Sequence, residues 1–95
     1  MRLTNTGVLQ QFKQSHPDAA NVVEAWRAEA IKGKWVTPLS IKDRYPKASI
    51  IDSSNVIFDI RGGRYRLWVK VAYQSGVIMI KKAGTHEEYD KWDIK

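Results

Sequence analysis

Residues 56–71 read Val-Ile-Phe-Asp-Ile-Arg-Gly-Gly-Arg-Tyr-Arg-Leu-Trp-Val-Lys-Val, two alternating runs joined by Gly62-Gly63. A two-residue hairpin loop of the favoured kind needs positive φ at both central positions, and glycine adopts that without strain. With the glycines at the tip, Arg61 lies opposite Arg64, Ile60 opposite Tyr65, Asp59 opposite Arg66, Phe58 opposite Leu67 and Ile57 opposite Trp68. Strand side chains alternate, so this register sorts the ribbon into two faces. One carries Val56, Phe58, Ile60, Tyr65, Leu67, Val69 and Val71 and must be covered as core. The other carries Arg61, Arg64, Arg66, Trp68 and Lys70. The pattern predicts strands over 56–61 and 64–73.

Outward from this hairpin, Gln74-Ser75-Gly76 is a second turn and 77–82 a further strand, with either Ile78 and Ile80 or Val77 and Met79 facing inward. Then Thr85 and Glu88 form the S/T-x-x-E capping box of a short helix or turn, with His86 at its first position and Tyr89 three residues on, on the same side. Upstream, 49–51 is a short strand, and before it the period turns helical. Thr37-Pro38 caps a short helix running to about Arg44, stopped by Tyr45-Pro46. His16-Pro17-Asp18 starts a longer helix to about Ile31, with Val22, Val23, Trp26 and Ala30 as its apolar stripe and Gly33 after its end. A shorter helix over 6–14 brings Val8, Leu9 and Phe12 to the same core. The fold class is α+β: N-terminal helices packed on a small, mainly antiparallel sheet of three to four strands, with a short C-terminal helix, as one domain over residues 1–95.

At 95 residues the chain is too short for two independent cores, and 43% apolar with 27% charged residues is ordinary for a globular domain. The absence of cysteine excludes disulfides, thiolate metal sites and cysteine nucleophiles. No apolar run is long enough to span a membrane. Met1 to Asn5 has no apolar stretch behind its charge, so no secretory signal is read there and a cytoplasmic location is expected. The net charge of +6 favours an anionic partner such as nucleic acid. Its distribution is sharper: no acidic residue lies between Ile60 and His86, where Arg61, Arg64, Arg66, Lys70, Lys81 and Lys82 all fall. A scatter of solvated charges is the plain alternative.

A phosphodiester site needs cations, a proton-transfer group and an aromatic surface. Arg suits phosphate through its planar fork, and Arg64, Arg66 and Lys70 share the polar face of the hairpin. Trp68, between Arg66 and Lys70, offers a stacking surface for an unpaired base, or else packs under a loop or helix. His86 is the better proton-transfer candidate because imidazole exchanges protons near neutral pH. His16, before Pro17 at a helix start, suits capping or the surface. The two histidines lie far apart in the chain and give none of the usual metal-ligand spacings, although carboxylates alone can bind Mg²⁺, and neither metal nor cofactor is expected.

In order and spacing, His16-Pro17-Asp18-Ala19, Ala25-Trp26, Lys34-Trp35 with Thr37-Pro38, Ile41-Lys42, Ala48-Ser49-Ile50, Val56 to Ile60 leading into Tyr65-Arg66-Leu67, and Gly84-Thr85-His86 with Glu88-Tyr89-Asp90 form one set of landmarks. With them the chain resembles, nearly end to end, HigB-type toxins of the RelE-like superfamily, bacterial toxins of type II toxin–antitoxin pairs. The resemblance implies a metal-independent endoribonuclease, an mRNA interferase that inhibits translation by cutting mRNA, in many relatives in the A site of the small ribosomal subunit. The RNA 2′-OH attacks the adjacent phosphorus and leaves a 2′,3′-cyclic phosphate and a 5′-OH. It implies Arg66 as phosphate stabiliser, His86 as acid or base and Tyr89 as assistant or substrate-orienting group. Arg61, Arg64, Trp68, Lys70, Lys81 and Lys82 are expected RNA contacts. The implied partners are mRNA, the ribosome and a cognate helix-turn-helix antitoxin of the HigA type. Two positions depart from the pattern: Asp59 where relatives more often carry Asn, and Val56 where a basic residue is common. Opposite Arg66, Asp59 either neutralises that Arg, holds it in position or acts as the base. Two other classes use the same scaffold: a non-catalytic RNA- or ribosome-binding module, and relatives that poison DNA gyrase, a target that needs no proton-transfer pair such as His86 and Tyr89.

Overall fold

The computed structural model describes residues 1–94. In chain order the elements are β1 (Arg2–Thr4), α1 (Gly7–Ser15), a 3-10 turn (Pro17–Ala19), α2 (Ala20–Lys32), α3 (Pro38–Arg44), β2 (Ser49–Ile50), β3 (Asn55–Ile60), β4 (Tyr65–Ala72), β5 (Val77–Thr85) and α4 (His86–Tyr89). The sheet order is β1-β5-β4-β3-β2, antiparallel except for β1 beside β5. The α+β expectation therefore holds, with five strands in place of three or four. The additional one, β1, is three residues long, too short for alternation to register in the sequence.

The β3–β4 register matches the reading from Gly62-Gly63 at every pair from Ile57↔Trp68 to Ile60↔Tyr65. Val56, Phe58, Ile60, Tyr65, Leu67, Val69 and Val71 all lie in the main core. Against them α1 and α2 bring Leu9, Phe12, Val23, Trp26 and Ala30, and an aromatic group of Trp26, Trp35, Tyr45 and Phe58 fills the centre. Ile78 and Ile80 are the inward pair of β5, while Met79 is exposed. The Thr37 cap forms as a full capping box with Ser40.

β5 extends to Thr85 rather than stopping near Lys82, because a bulge between Ile80 and Lys82 shifts its phase. Val69 faces Ile80 but Trp68 faces Lys82, so Lys81 is the extra residue. The shift lets both Ile80 and Ala83 point at the helices. It also sends Lys82 to the opposite face and carries the strand on to Gly84 opposite Arg66. A Cβ at Gly84 would sit 3.1 Å from both Glu88 Oε1 and Trp92 Cζ2, closer than ordinary van der Waals contact, so a larger residue there would push one of them aside.

The hairpin tip takes more left-handed residues than a two-residue loop needs: Arg61 (φ 55°), Gly62 (φ 67°) and Gly63 (φ 90°). Arg61 and Arg64 thereby leave the strand geometry. They do not join the Trp68 face, as alternation implies, but turn to Asp18 beside the helices, with Arg61 Nη1 2.7 Å and Arg64 Nη1 3.7 Å from Asp18 Oδ2. Asp18 also accepts from the Tyr65 hydroxyl at 2.8 Å, and this bond, followed by Arg61, lowers its pKa below the ordinary carboxylate value. His16 makes no side-chain cap. It is half-buried instead, its ring 4.9 Å from Phe12 and 4.8 Å from Tyr65.

Candidate active site

The site is built where α4 meets the hairpin. Thr85 and Glu88 cap α4 reciprocally: Glu88 N–H donates to Thr85 Oγ1 at 3.1 Å, and Thr85 N–H to Glu88 Oε1 at 2.9 Å. The bond from the Thr85 amide is the main reason the Glu88 pKa is lowered. His86 N–H donates to the Arg64 carbonyl at 3.2 Å, which ties the start of α4 to the far side of the hairpin loop. Two short-range sequence signals, a capping box and a glycine turn, thus meet in space.

This meeting brings Tyr89 close to both of the other expected catalytic residues. Its ring centroid lies 5.3 Å from Arg66 Cζ and 6.3 Å from the His86 ring. The His86 side chain is 55% exposed, with Nδ1 3.4 Å from Asp90 Oδ2, so its other ring nitrogen is directed away from Asp90. Arg66 is held more tightly at 15% exposure. Its Nε lies 3.3 Å from Asp59 Oδ1, and its Nη1 donates to the Gly63 carbonyl. Asp59 therefore does pair with Arg66, and with the turn carbonyl it fixes the guanidinium under the Tyr89 ring. A planar cation, a phenol and an imidazole are presented along one edge of the molecule, a set able to bind a phosphate and move protons beside it.

Trp68 leaves the set of expected RNA contacts: of its two sequence readings the structure takes the packed one, with the residue only 6% exposed. Its Nε1–H donates to Asn55 Oδ1 at 2.8 Å, Trp92 packs on it at 6.2 Å between centroids, and Lys81 Nζ lies 5.7 Å from its ring. Burial of an indole with its N–H satisfied is the stable arrangement, and it removes the ring from a base's reach. Asn55 is in turn fixed by Asp52, whose carboxylate accepts from Asn55 Nδ2 at 2.9 Å and from the Ser54 and Asn55 amides. The Asn55 side chain leads these bonds in pulling the Asp52 pKa down to about 2.

The other basic candidates divide. Lys81 and Lys82 flank Trp68 on the site face. Lys70 shares that face but lies four strand residues from Arg66, about 13 Å along β4. Arg61 and Arg64 are engaged with Asp18, although the Arg64 backbone anchors His86. Asn55, Asp52 and Trp92 were not singled out by sequence, and Asp90 entered only as part of the Glu88-Tyr89-Asp90 landmark, with no role at His86. The helical spacings of Trp92 to Tyr89 and of Asp90 to His86 are the signals that could have found their roles.

A basic α+β protein with its helices on one face of a five-stranded sheet and a capped C-terminal turn bearing His86 and Tyr89 has the RelE-like architecture. More narrowly, the chain belongs to the HigB toxin family, the RelE-like toxic component of a toxin–antitoxin system, whose family model matches residues 19–92. The match covers the hairpin, Asp59, Arg66, His86 and Tyr89; of the His16-Pro17-Asp18-Ala19 landmark it includes only Ala19. No curated protein matches the chain. Family membership implies an antitoxin as partner. Among the described residues no helix is long and apolar enough to cross a membrane.

Proposed function

We propose that the protein is the ribonuclease of its toxin–antitoxin pair, an mRNA interferase that cuts messenger RNA on the ribosome in the cytoplasm and is silenced by a HigA-type antitoxin. The observation that carries this reading is the Tyr89 ring lying near both the Arg66 guanidinium and the His86 imidazole. In the reaction the RNA 2′-oxygen forms a bond to the adjacent phosphorus as the bond from phosphorus to the 5′-oxygen breaks. A proton leaves the 2′-OH and another reaches the departing 5′-oxygen. Arg66 neutralises the charge that accumulates on the phosphorane oxygens, and fixed cations lower the barrier most where charge develops. His86 carries one of the two protons, with Asp90 orienting its ring. Tyr89 packs against Arg66 and positions the ribose–phosphate between the two. Lys81 and Lys82 extend the positive surface along which the strand runs.

The test is brief induction without antitoxin, followed by mapping of 5′-OH ends on cellular mRNA. New ends and growth arrest are expected for the wild type. His86→Ala lowers cleavage by about 10²-fold or more, the scale of a lost general acid or base, and relieves the arrest. Unchanged mRNA ends in cells that still stop growing would overturn the ribonuclease reading. RNA binding in which His86→Ala changes nothing is the mark of a non-catalytic module.

A further inference from the structure

β2 pairs with β3 only at Ile57 and Val56, so the outer edge of β3 from Phe58 to Ile60 has no strand beside it. A cleft of about 370 Å³ occupies that gap, between the hairpin tip and the segment that follows α3. Tyr45, Ala48 and Phe58 form its apolar wall. Asp59, the carboxylate that holds Arg66, forms the wall nearest the candidate active site. Arg44 and Lys47, both exposed, line it as well.

The Arg44 guanidinium lies over the Tyr45 ring, 4.9 Å from its centroid, while the side chain remains 58% exposed. Tyr45 is immobilised beneath it by a hydroxyl bond to Glu29 and edge-on packing against Phe58 and Trp35. The guanidinium thus sits near the centre of an immobilised ring, held by Glu29, with more than half of the Arg44 side chain exposed. A guanidinium plane of this kind is a stacking surface for an unpaired base. The charges around the cleft are Lys42, whose Nζ donates to the Pro46 and Ala48 carbonyls at 2.6 Å each, Arg44 paired with Glu29, exposed Lys47 and Asp43, and Asp59 paired with Arg66. Cations predominate on the segment from Lys42 to Lys47. The free edge is too short for a partner strand to add with more than a bond or two, which disfavours a peptide occupant.

We propose that this cleft receives one unstacked base of the RNA, the base next to the phosphodiester presented to Arg66. The base lies on the Arg44 guanidinium, and Lys47 meets the phosphate of that nucleotide. The inference rests on the ribonuclease reading for its orientation but is tested without cleavage. The probes are short RNAs carrying 2′-O-methyl at every position, which cannot be cut, with the base removed from one position at a time. Dissociation constants are read by fluorescence anisotropy on the full chain, as wild type, Arg44→Lys and Lys47→Met.

One abasic position is expected to weaken binding to the wild type about tenfold, the effect of a single stacked base. Arg44→Lys keeps the charge and loses the plane, so that penalty should fall below about twofold. Lys47→Met should weaken every probe by a similar factor. Equal binding of all abasic probes by the wild type, or a full tenfold penalty retained in Arg44→Lys, overturns the proposal. So does a cognate antitoxin that perturbs the NMR signals of Tyr45 and Ala48 when no oligonucleotide does. A protein that shows the expected abasic pattern but leaves cellular mRNA uncut would keep the cleft and lose only the ribonuclease assignment.

Discussion

The two faces of the β3–β4 hairpin come from the same alternating residues yet are held by different physics. Toward the helices, Val56, Phe58, Leu67 and Val69 are almost wholly buried among other apolar side chains. Stability there scales with area removed from water and has little direction. On the opposite face a chain of directed bonds holds the polar groups around Trp68 and Arg66: Trp68 to Asn55, Asn55 to Asp52, Arg66 to Asp59 and Gly63. The first face keeps the chain folded, and the second keeps a guanidinium and an aromatic ring at fixed positions. Substitutions should therefore separate folding from activity according to the face they touch.

The largest contrast comes from Phe58→Ala, which leaves a cavity beneath Trp26, Trp35 and Tyr45. A loss of about 3–5 kcal/mol in urea unfolding is expected. A loss under ~1 kcal/mol would mean that the central aromatic group is not packed as described. On the other face, Asn55→Ala strands the buried Trp68 N–H and should cost about 1–3 kcal/mol. Near-wild-type RNA affinity, compared at a temperature where both proteins are folded, would agree with Trp68 being structural; a large affinity loss would return it to the RNA surface.

Asp59→Asn is expected to be milder in stability, within ~1 kcal/mol for a partly exposed pair. Its readout is cleavage. A change of severalfold fits a carboxylate that holds Arg66, whereas a loss of about 10²-fold would make Asp59 the proton acceptor. The smallest effect is in acid. Asp52 is held at about 2 in the folded chain against an ordinary value of 3.8, so its bonds contribute fully above the ordinary value and are lost as pH falls through about 2. Wild-type stability should fall more steeply over that window than that of Asp52→Asn, and parallel urea midpoints between the two would remove Asp52 from the account.

Short-range signals carried far in this chain. Gly62-Gly63 set the hairpin register because a two-residue loop leaves one pairing for alternating strands, and the Thr37 cap and the Thr85–Glu88 capping box formed because each spans four residues. The pair Asp59–Arg66 followed directly from that register. The burial of Trp68 did not, because it depends on Trp92 arriving from beyond α4 and on an Asn55 bond thirteen residues distant. The turn of Arg61 and Arg64 toward Asp18 was equally hidden, since backbone φ at Arg61 breaks the alternation from which their side was inferred.

From its own pattern, then, the chain determined which strands pair, which face is apolar and where α4 starts, because periodicity, glycine and capping act over a few residues. Tertiary structure alone decided that the Tyr89 ring meets the Arg66 guanidinium, that a bulge at Lys81 aligns Gly84 with Arg66, and that Trp68 is covered. Those outcomes depend on side chains distant in the chain competing for the same space, and neither alternation nor capping encodes which of them takes it.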